Sequence, residues 1–107
     1  MADDQEKKDG EERPKGPVAL KISAEPQVAK GVYSNLSLVH NNETEFVLDF
    51  IFAEPQRPQG HVVSRVIVNP KGAKRLMTGL AELVRRYEDR FGEIPASAVP
   101  SVQGKYH

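Results

Sequence analysis

The sequence contains no cysteine and no tryptophan, and aromatic residues make up only 7% of its 107 residues. The absence of cysteine excludes disulfide bonds, thiolate nucleophiles and cysteine metal sites, and it is typical of a reducing compartment. No apolar run approaches the length of a membrane span. The formal net charge is zero, which argues against a strong nucleic-acid binder because such proteins carry a basic surplus. These features predict a cytosolic protein.

Both ends of the chain have compositions that disfavour a packed core. Residues 1–16 hold six acidic and four basic residues and no aromatic or β-branched one, too little apolar surface to offset the entropy of ordering. We predict a disordered charged arm over residues 1–16, a single domain over residues 17–94 and an irregular tail over residues 95–107. A domain of about 80 residues is marginal as a monomer, which favours association.

Four segments alternate apolar and polar residues with period two, the pattern of strands with one buried face. They cover residues 18–24, 32–39, 46–52 and 62–68. Short connections favour antiparallel neighbours, so the segments predict a four-stranded meander. One strand face, which we name the phenylalanine face, is expected to be buried and is marked in the third segment by Phe46, Leu48, Phe50 and Phe52.

An amphipathic helix is predicted after the last strand. Asn69 is a good N-cap, Pro70 suits the first helical position, and Gly92 stands where a helix ends. We expect the apolar side of the helix, named the apolar stripe, to pack on the phenylalanine face. The predicted fold class is therefore α+β, a four-stranded antiparallel meander with one C-terminal helix on one face, dimeric or higher. The stripe consists of Ala73, Leu76, Met77, Leu80, Leu83, Val84, Tyr87 and Phe91.

The opposite face of the predicted sheet is about half apolar and carries a polar row. Loop lengths place Asn35 and Arg65 on either side of Asp49. Such a face is too apolar for a comfortable monomer surface, and an Arg–Asp pair with an asparagine would satisfy its buried polar groups. The alternative, ligand binding by Asp49 and Arg65, is less favoured because opposite charges on adjacent strands usually form structural pairs. We predict an oligomer interface formed by Tyr33, Asn35, Asp49, Ile51, Arg65 and Ile67.

The sequence offers no pattern of catalytic or metal-binding residues. It has no glycine-rich phosphate loop, no G-x-S-x-G elbow and no H-E-x-x-H helix. His40, His61 and His107 stand at a strand end, a strand start and the last position of the sequence, and we expect them to be solvated. We therefore expect no enzyme activity, no cofactor and no metal.

The polar side of the helix carries two basic clusters that could follow a phosphate backbone. Acidic residues stand between and after them at spacings that form ion pairs along a solvated helix. No aromatic residue interleaves the cations to stack on bases. A nucleic-acid contact therefore stays an alternative, and its candidate residues are Lys71, Lys74, Arg75, Arg85 and Arg86.

Several short segments resemble a known family. These are YSN at 33–35, FVLDF at 46–50, SRV at 64–66 and the helix start NPKGAKRL at 69–76. They are similar to the small bacterial and archaeal family called domain of unknown function 3467, over about residues 18–94. That family has no established activity, so the resemblance implies domain limits and a prokaryotic origin, and no site residues. In architecture alone, four antiparallel strands followed by a helix are similar to the export chaperone SecB.

Together these features predict a small non-enzymatic homo-oligomeric binding or regulatory protein, an adaptor, with a dimer as the favoured form. A further protein partner is possible, and no membrane association is expected. The alternatives are a nucleic-acid-binding module that uses the basic helix face and a SecB-like chaperone or peptide-binding protein that uses an apolar groove or a strand edge.

Overall fold

The structure, a computed structural model, describes residues 18–98 and 100–102. The chain divides into two compact units, Met1–Gly31 and Val32–His107. In the first unit the described residues include one helical turn, α1 (Pro26–Ala29), and Gly31 follows it with a positive φ of 78°. The predicted arm over residues 1–16 lies outside the described residues.

The predicted first strand, residues 18–24, is wrong, because these residues form neither strand nor helix. Leu20 and Ile22 are 75% and 86% exposed, so the alternation does not bury a face here. A strand forms only where its backbone groups pair with a neighbour, and none of the described strands pairs with this segment. Alternation indicates which face a strand would bury, but it supplies no pairing partner.

The second unit contains a three-stranded antiparallel sheet, in the order β1–β2–β3, and a long helix. The α+β class, the antiparallel sheet and the C-terminal helix are confirmed, with three strands in place of four. The central strand contains the most buried side chains, because among the described strands it has a neighbour on both sides. The elements are β1 (Leu36–Asn41), β2 (Phe46–Ala53), β3 (Gly60–Val68) and α2 (Pro70–Phe91).

The register between β1 and β2 differs from the predicted one. Leu38, three residues beyond the predicted Asn35, lies opposite Asp49. Asn42 closes the intervening loop, since its Oδ1 accepts hydrogen bonds from the backbone N–H groups of Thr44 and Glu45. The turn therefore lies further along the chain than loop composition indicated. Because the shift is odd, it exchanges the two faces of β1.

The register between β2 and β3 places Asp49 opposite Arg65, as predicted. The residue pairs that precede this one in β3 differ from the predicted pairs. Phe52 pairs with His61, one residue away from its predicted partner, and a β-bulge at Val63 shifts the remaining pairs by one. A bulge inserts one residue into one strand and bends it locally, so the segment of β3 after Val63 is the regular one.

The helix α2 has the predicted bounds. The Oδ1 of Asn69 accepts a hydrogen bond from the N–H of Gly72 at 2.7 Å, which satisfies one of the free donors at the helix start. The helix ends at Phe91, and Gly92 follows with a φ of 100°, a conformation that glycine adopts without strain. Neither of the two helices in the described residues, α1 and α2, is long and apolar enough to cross a membrane.

The prediction that α2 packs on the phenylalanine face is wrong. Asn69 alone connects β3 to α2, and a helix that folds back over its sheet usually needs a connection of 2–6 residues. The start of α2 lies near β3, where a Cβ atom on Gly72 would be 3.6 Å from the Cβ of Val68. Further along α2 the apolar stripe stays open, and Leu80 and Leu83 are 56% and 60% exposed.

Candidate functional site

Asp49 lies in the middle of β2 with none of its surface exposed. The Nε of Arg65 donates a hydrogen bond to its Oδ1 at 2.6 Å, and the Nη2 of Arg65 donates to its Oδ2 at 2.9 Å. Two parallel bonds are the geometry in which a guanidinium holds a carboxylate most strongly. The Arg65 side chain is 38% exposed, so a cation that still reaches solvent balances the buried carboxylate. The pair joins two residues that lie directly opposite each other on β2 and β3.

His40 extends this cluster. Its Nε2 lies 3.7 Å from the Oδ2 of Asp49, and its side chain is 48% exposed. From the sequence we expected a solvated histidine at a strand end. Instead β1 runs on to Asn41, and His40 lies opposite Val47, on the same face as Asp49. A sequence prediction with the observed β1–β2 register would have placed His40 on the same face as Asp49. Within residues 18–98 and 100–102, no group of three potential metal ligands converges.

Two residues of the predicted interface lie away from Asp49. Asn35 precedes β1, and its side-chain amide bonds the N–H and the C=O of Ala53 at 2.8 and 2.9 Å. It therefore lengthens the β1–β2 pairing and does not face Asp49. Tyr33 contacts the ring of Phe52 edge-on, with the two centroids 6.2 Å apart. The polar row thus consists of His40, Asp49 and Arg65.

The two isoleucines of the predicted interface share a face with Asp49, which we name the Asp49 face, because side chains alternate along each strand. Ile67 is 56% exposed, whereas Ile51 is 7% exposed. Residues 100–102 of the predicted tail have no helix or strand. They line a groove of about 520 Å³ whose apolar sheet residues include Leu36, Leu38, Ile51, Ala53 and Val62. The C-terminal segment thus borders one end of the Asp49 face.

A second charged cluster closes the loop between β2 and β3. The Glu54 carboxylate accepts a hydrogen bond from the Nε of Arg57 at 2.8 Å and lies 2.9 Å from the Nε2 of His61. These two contacts, His61 first, hold the pKa of Glu54 below its ordinary value. We had expected His61 to be solvated. The i,i+3 spacing of Glu54 and Arg57 was the one local signal of this cluster.

Replacing His61 with alanine is expected to raise the pKa of Glu54 toward its ordinary value, and to do so more than Arg57→Ala does, because His61 is the larger cause. Since the folded pKa lies below the unfolded one, the cluster stabilises the fold above the ordinary glutamate pKa. That contribution is lost as the pH falls through the lowered value. Carbon-13 NMR titration of the Glu54 carboxyl group in the three proteins measures the effect. An unchanged Glu54 pKa in His61→Ala would contradict it.

The basic residues of α2 divide into two groups. Lys71, Lys74 and Arg75 lie in the first two turns of the helix. Arg85 is 2.7 Å from Glu82 and 3.4 Å from Asp89, and Arg86 is 3.1 Å from Glu82. The second group is therefore engaged by carboxylates of the same helix, as on a solvated helix face. This pairing lends no support to a continuous phosphate-binding row.

Comparison with known proteins supports the resemblance noted in the sequence. The model of a family described as "Protein of unknown function (DUF3467)" matches residues 1–96. That range includes the three described strands and α2. Searches of curated proteins and of solved structures found no match.

Proposed function

We propose that this chain, which belongs to the DUF3467 family, works as a small non-enzymatic homo-oligomeric binding protein, with the dimer as its basic unit. The observation that carries the proposal is the open apolar stripe of α2. Its large side chains are between 38% and 65% exposed, on a helix of 22 residues. A helix with one apolar side and one charged side is normally buried along the apolar side.

The area of the stripe is in the range that a stable interface requires. Seven large side chains with about half of their surface exposed amount to roughly 700 Å², and each partner in a standard interface contributes roughly 800 Å². An apolar patch of this size is uncommon on a monomeric soluble protein. The stripe is continuous along the helix, and its large members are Leu76, Met77, Leu80, Leu83, Val84, Tyr87 and Phe91.

A second copy of this chain is the occupant that fits the stripe best. The one-residue connection at Asn69 keeps α2 away from the phenylalanine face of its own sheet. Val39 and Val66 lie opposite Leu48 on that face and are 59% and 41% exposed. In a two-fold dimer, α2 of each copy would cover the phenylalanine face of the other, so one arrangement buries both surfaces twice.

The Asp49 face would stay outside that contact and is the surface we assign to binding a further protein. On this face, Val62 and Ile67 of β3 are 45% and 56% exposed, beside the ion pair of Asp49 and Arg65. An apolar surface with a few placed charges is typical of protein interfaces. The oligomer contact that the sequence predicted on this face stays a prediction, and the exposed stripe gives more support to assembly through α2.

The proposal is tested by the mass of the full chain in solution. Sedimentation equilibrium across a wide range of protein concentrations is expected to give at least twice 11.9 kDa. A single monomeric species at high concentration would overturn the proposal. Suppression of the aggregation of an unfolded client protein by that monomer, at stoichiometric amounts, would instead support the SecB-like alternative.

A further inference from the structure

The outer edge of β1 lacks the features that usually protect an edge strand. Among the described residues, β1 pairs with β2 alone. Edge strands are usually protected by proline, by lysine or by other charged side chains. The sequence of β1, LSLVHN, contains no proline and no lysine, and His40 is its one ionisable residue. By composition β1 is therefore an inner strand, although it lies at an edge of the described sheet.

A hydrogen bond just after β1 shows which of its backbone groups point outward. The N–H of Asn42 donates to the carbonyl of Glu45 at 3.0 Å, and this pair continues the register between β1 and β2. Successive residues of an antiparallel strand turn their backbone groups to opposite sides. The even-numbered residues of β1 therefore face β2, and the outward N–H and C=O groups belong to Ser37, Val39 and Asn41.

Residues 18–24 have the edge features that β1 lacks. Their large apolar side chains alternate with smaller or polar ones and are between 60% and 86% exposed. Pro17 and Pro26 bracket the segment, so every residue between them has a backbone N–H that can pair. Lys21 stands in the middle of the segment, and such a charge protects an outer edge. Since the segment pairs with none of the described strands of its own chain, a second copy can supply the strand it lacks.

We propose that residues 18–23 of each copy pair in antiparallel fashion with β1 of the other copy, so that each sheet gains a fourth strand. This inference rests on the proposed function and names a further segment by which the two copies hold each other. Six residues then pair with all six of β1, and Leu20 of one copy lies opposite Val39 of the other. The neighbouring hydrogen-bonded pairs are Val18 with Asn41 and Ile22 with Ser37.

The side chains favour this register over its neighbours. Val39 lies on the phenylalanine face, so Leu20 and the other even-numbered residues of the segment would extend that face. A shift of one residue would place Lys21 there, among apolar side chains. A shift of two residues in one direction would draw in Glu25, whose carbonyl accepts a hydrogen bond from the first turn of α1. The same shift in the other direction would draw in Pro17, which has no N–H to donate.

The exchange also agrees with the assembly proposed through α2. This helix has 22 residues and is about 33 Å long, so its apolar stripe needs a broad apolar surface on the second copy. A fourth strand would widen the phenylalanine face by about 4.8 Å. It would add three apolar side chains to that face, those of Val18, Leu20 and Ile22. Covering the stripe and pairing the segment thus require the same partner.

Pairs of cysteines test the exchange, because the chain has none of its own. The Cα atoms of a hydrogen-bonded antiparallel pair are about 5.5 Å apart, a distance that a disulfide spans. The full chain carrying Leu20→Cys and Val39→Cys is expected to form a covalent dimer under mild oxidation. The matched control carries Lys21→Cys and Val39→Cys, whose Cβ atoms would point to opposite faces of the sheet and could not be bridged. The first variant should cross-link at least about tenfold faster, in proteins whose circular dichroism matches that of the wild type.

Amide hydrogen exchange of the wild-type protein tests the pairing without any substitution. Alternate residues of the added strand would face β1 and donate to it. In the dimer, NMR should therefore detect protection that alternates along the segment and disappears on dilution to the monomer. The amides expected to be protected are those of Val18, Leu20 and Ile22, and those expected to exchange freely are Ala19, Lys21 and Ser23.

The possible results separate this pairing from the proposed function. A disulfide within one chain, in place of a covalent dimer, would overturn the exchange because the segment would then pair with its own sheet. Equal cross-linking of the two double variants, or free exchange of all six amides in a dimeric wild type, would also overturn the exchange and leave the proposed function standing. A wild-type protein that stays monomeric at high concentration would overturn both.

Discussion

Asp49→Ala is expected to lower the free energy of unfolding by about 2–3 kcal/mol, because it leaves the guanidinium of Arg65 beside apolar side chains without its carboxylate. The estimate lies below the usual range for a broken buried pair because the Arg65 side chain is 38% exposed and can be hydrated in part. Asp49 itself is fully buried. Denaturant unfolding followed by circular dichroism, at one fixed protein concentration, measures the change.

Two further variants make this result specific. Asp89→Ala removes a carboxylate that is 70% exposed and 3.4 Å from Arg85, and it should cost no more than about 0.5 kcal/mol. Adding Arg65→Met to Asp49→Ala should recover part of the loss, because the guanidinium that has lost the Asp49 carboxylate is then removed as well. If Asp49→Ala were as mild as Asp89→Ala, the ion pair would not be what holds β2 and β3 in register.

Leu80→Glu is expected to raise the dissociation constant of the dimer at least about a hundredfold, which corresponds to about 2.8 kcal/mol. Leu80 stands near the middle of α2 and of its apolar stripe, and a charge there would be buried in the contact without a partner. The helix itself should persist, because leucine and glutamate have similar helix propensities. Sedimentation velocity over a range of concentrations gives the constant, and circular dichroism gives the helix content.

The matched control adds the same charge to the opposite side of the helix. Thr78 is exposed and lies on the polar side of α2, so Thr78→Glu should leave the dissociation constant within about threefold of the wild-type value. Equal dissociation of both variants would point to a general effect of charge. A Leu80→Glu protein that remained dimeric at low concentration would contradict assembly through the stripe.

The elements that sequence reasoning placed correctly are those whose signals are local. α2 begins and ends where Asn69, Pro70 and Gly92 predict, because caps act within a single turn of helix. The strands β2 and β3 lie within two residues of their predicted ranges, because the alternation of apolar and polar residues is also a local signal. The strand β1 covers Leu36–Asn41 in place of the predicted 32–39. Asp49 and Arg65 were also placed opposite each other, but from a pairing of Phe52 that is off by one residue and that the bulge at Val63 offsets.

The candidate site could be predicted only in part, because it depends on the register between strands. His40 was missed and Asn35 was misplaced, and both errors follow from the position of a single turn. The side chain of Asn42 determines that turn through its bonds to Thr44 and Glu45. Composition marks the loop but not the residue at which the chain reverses, and a shift of odd length exchanges the faces of a whole strand.

Residues 18–24 and the apolar stripe show most clearly the difference between what a residue pattern determines and what only the tertiary structure determines. In both, the apolar residues recur at a regular spacing, which would place them on one side of a strand or a helix. Whether that side is covered depends on pairing partners and connections distant from the pattern. Residues 18–24 have no partner among the described strands, and after the single connecting residue Asn69 only the start of α2 lies near β3. The sequence therefore determines the helix and the spacing of its apolar residues, whereas the tertiary structure decides whether an alternating segment pairs as a strand and whether an apolar side is covered, because both depend on partners distant in the chain.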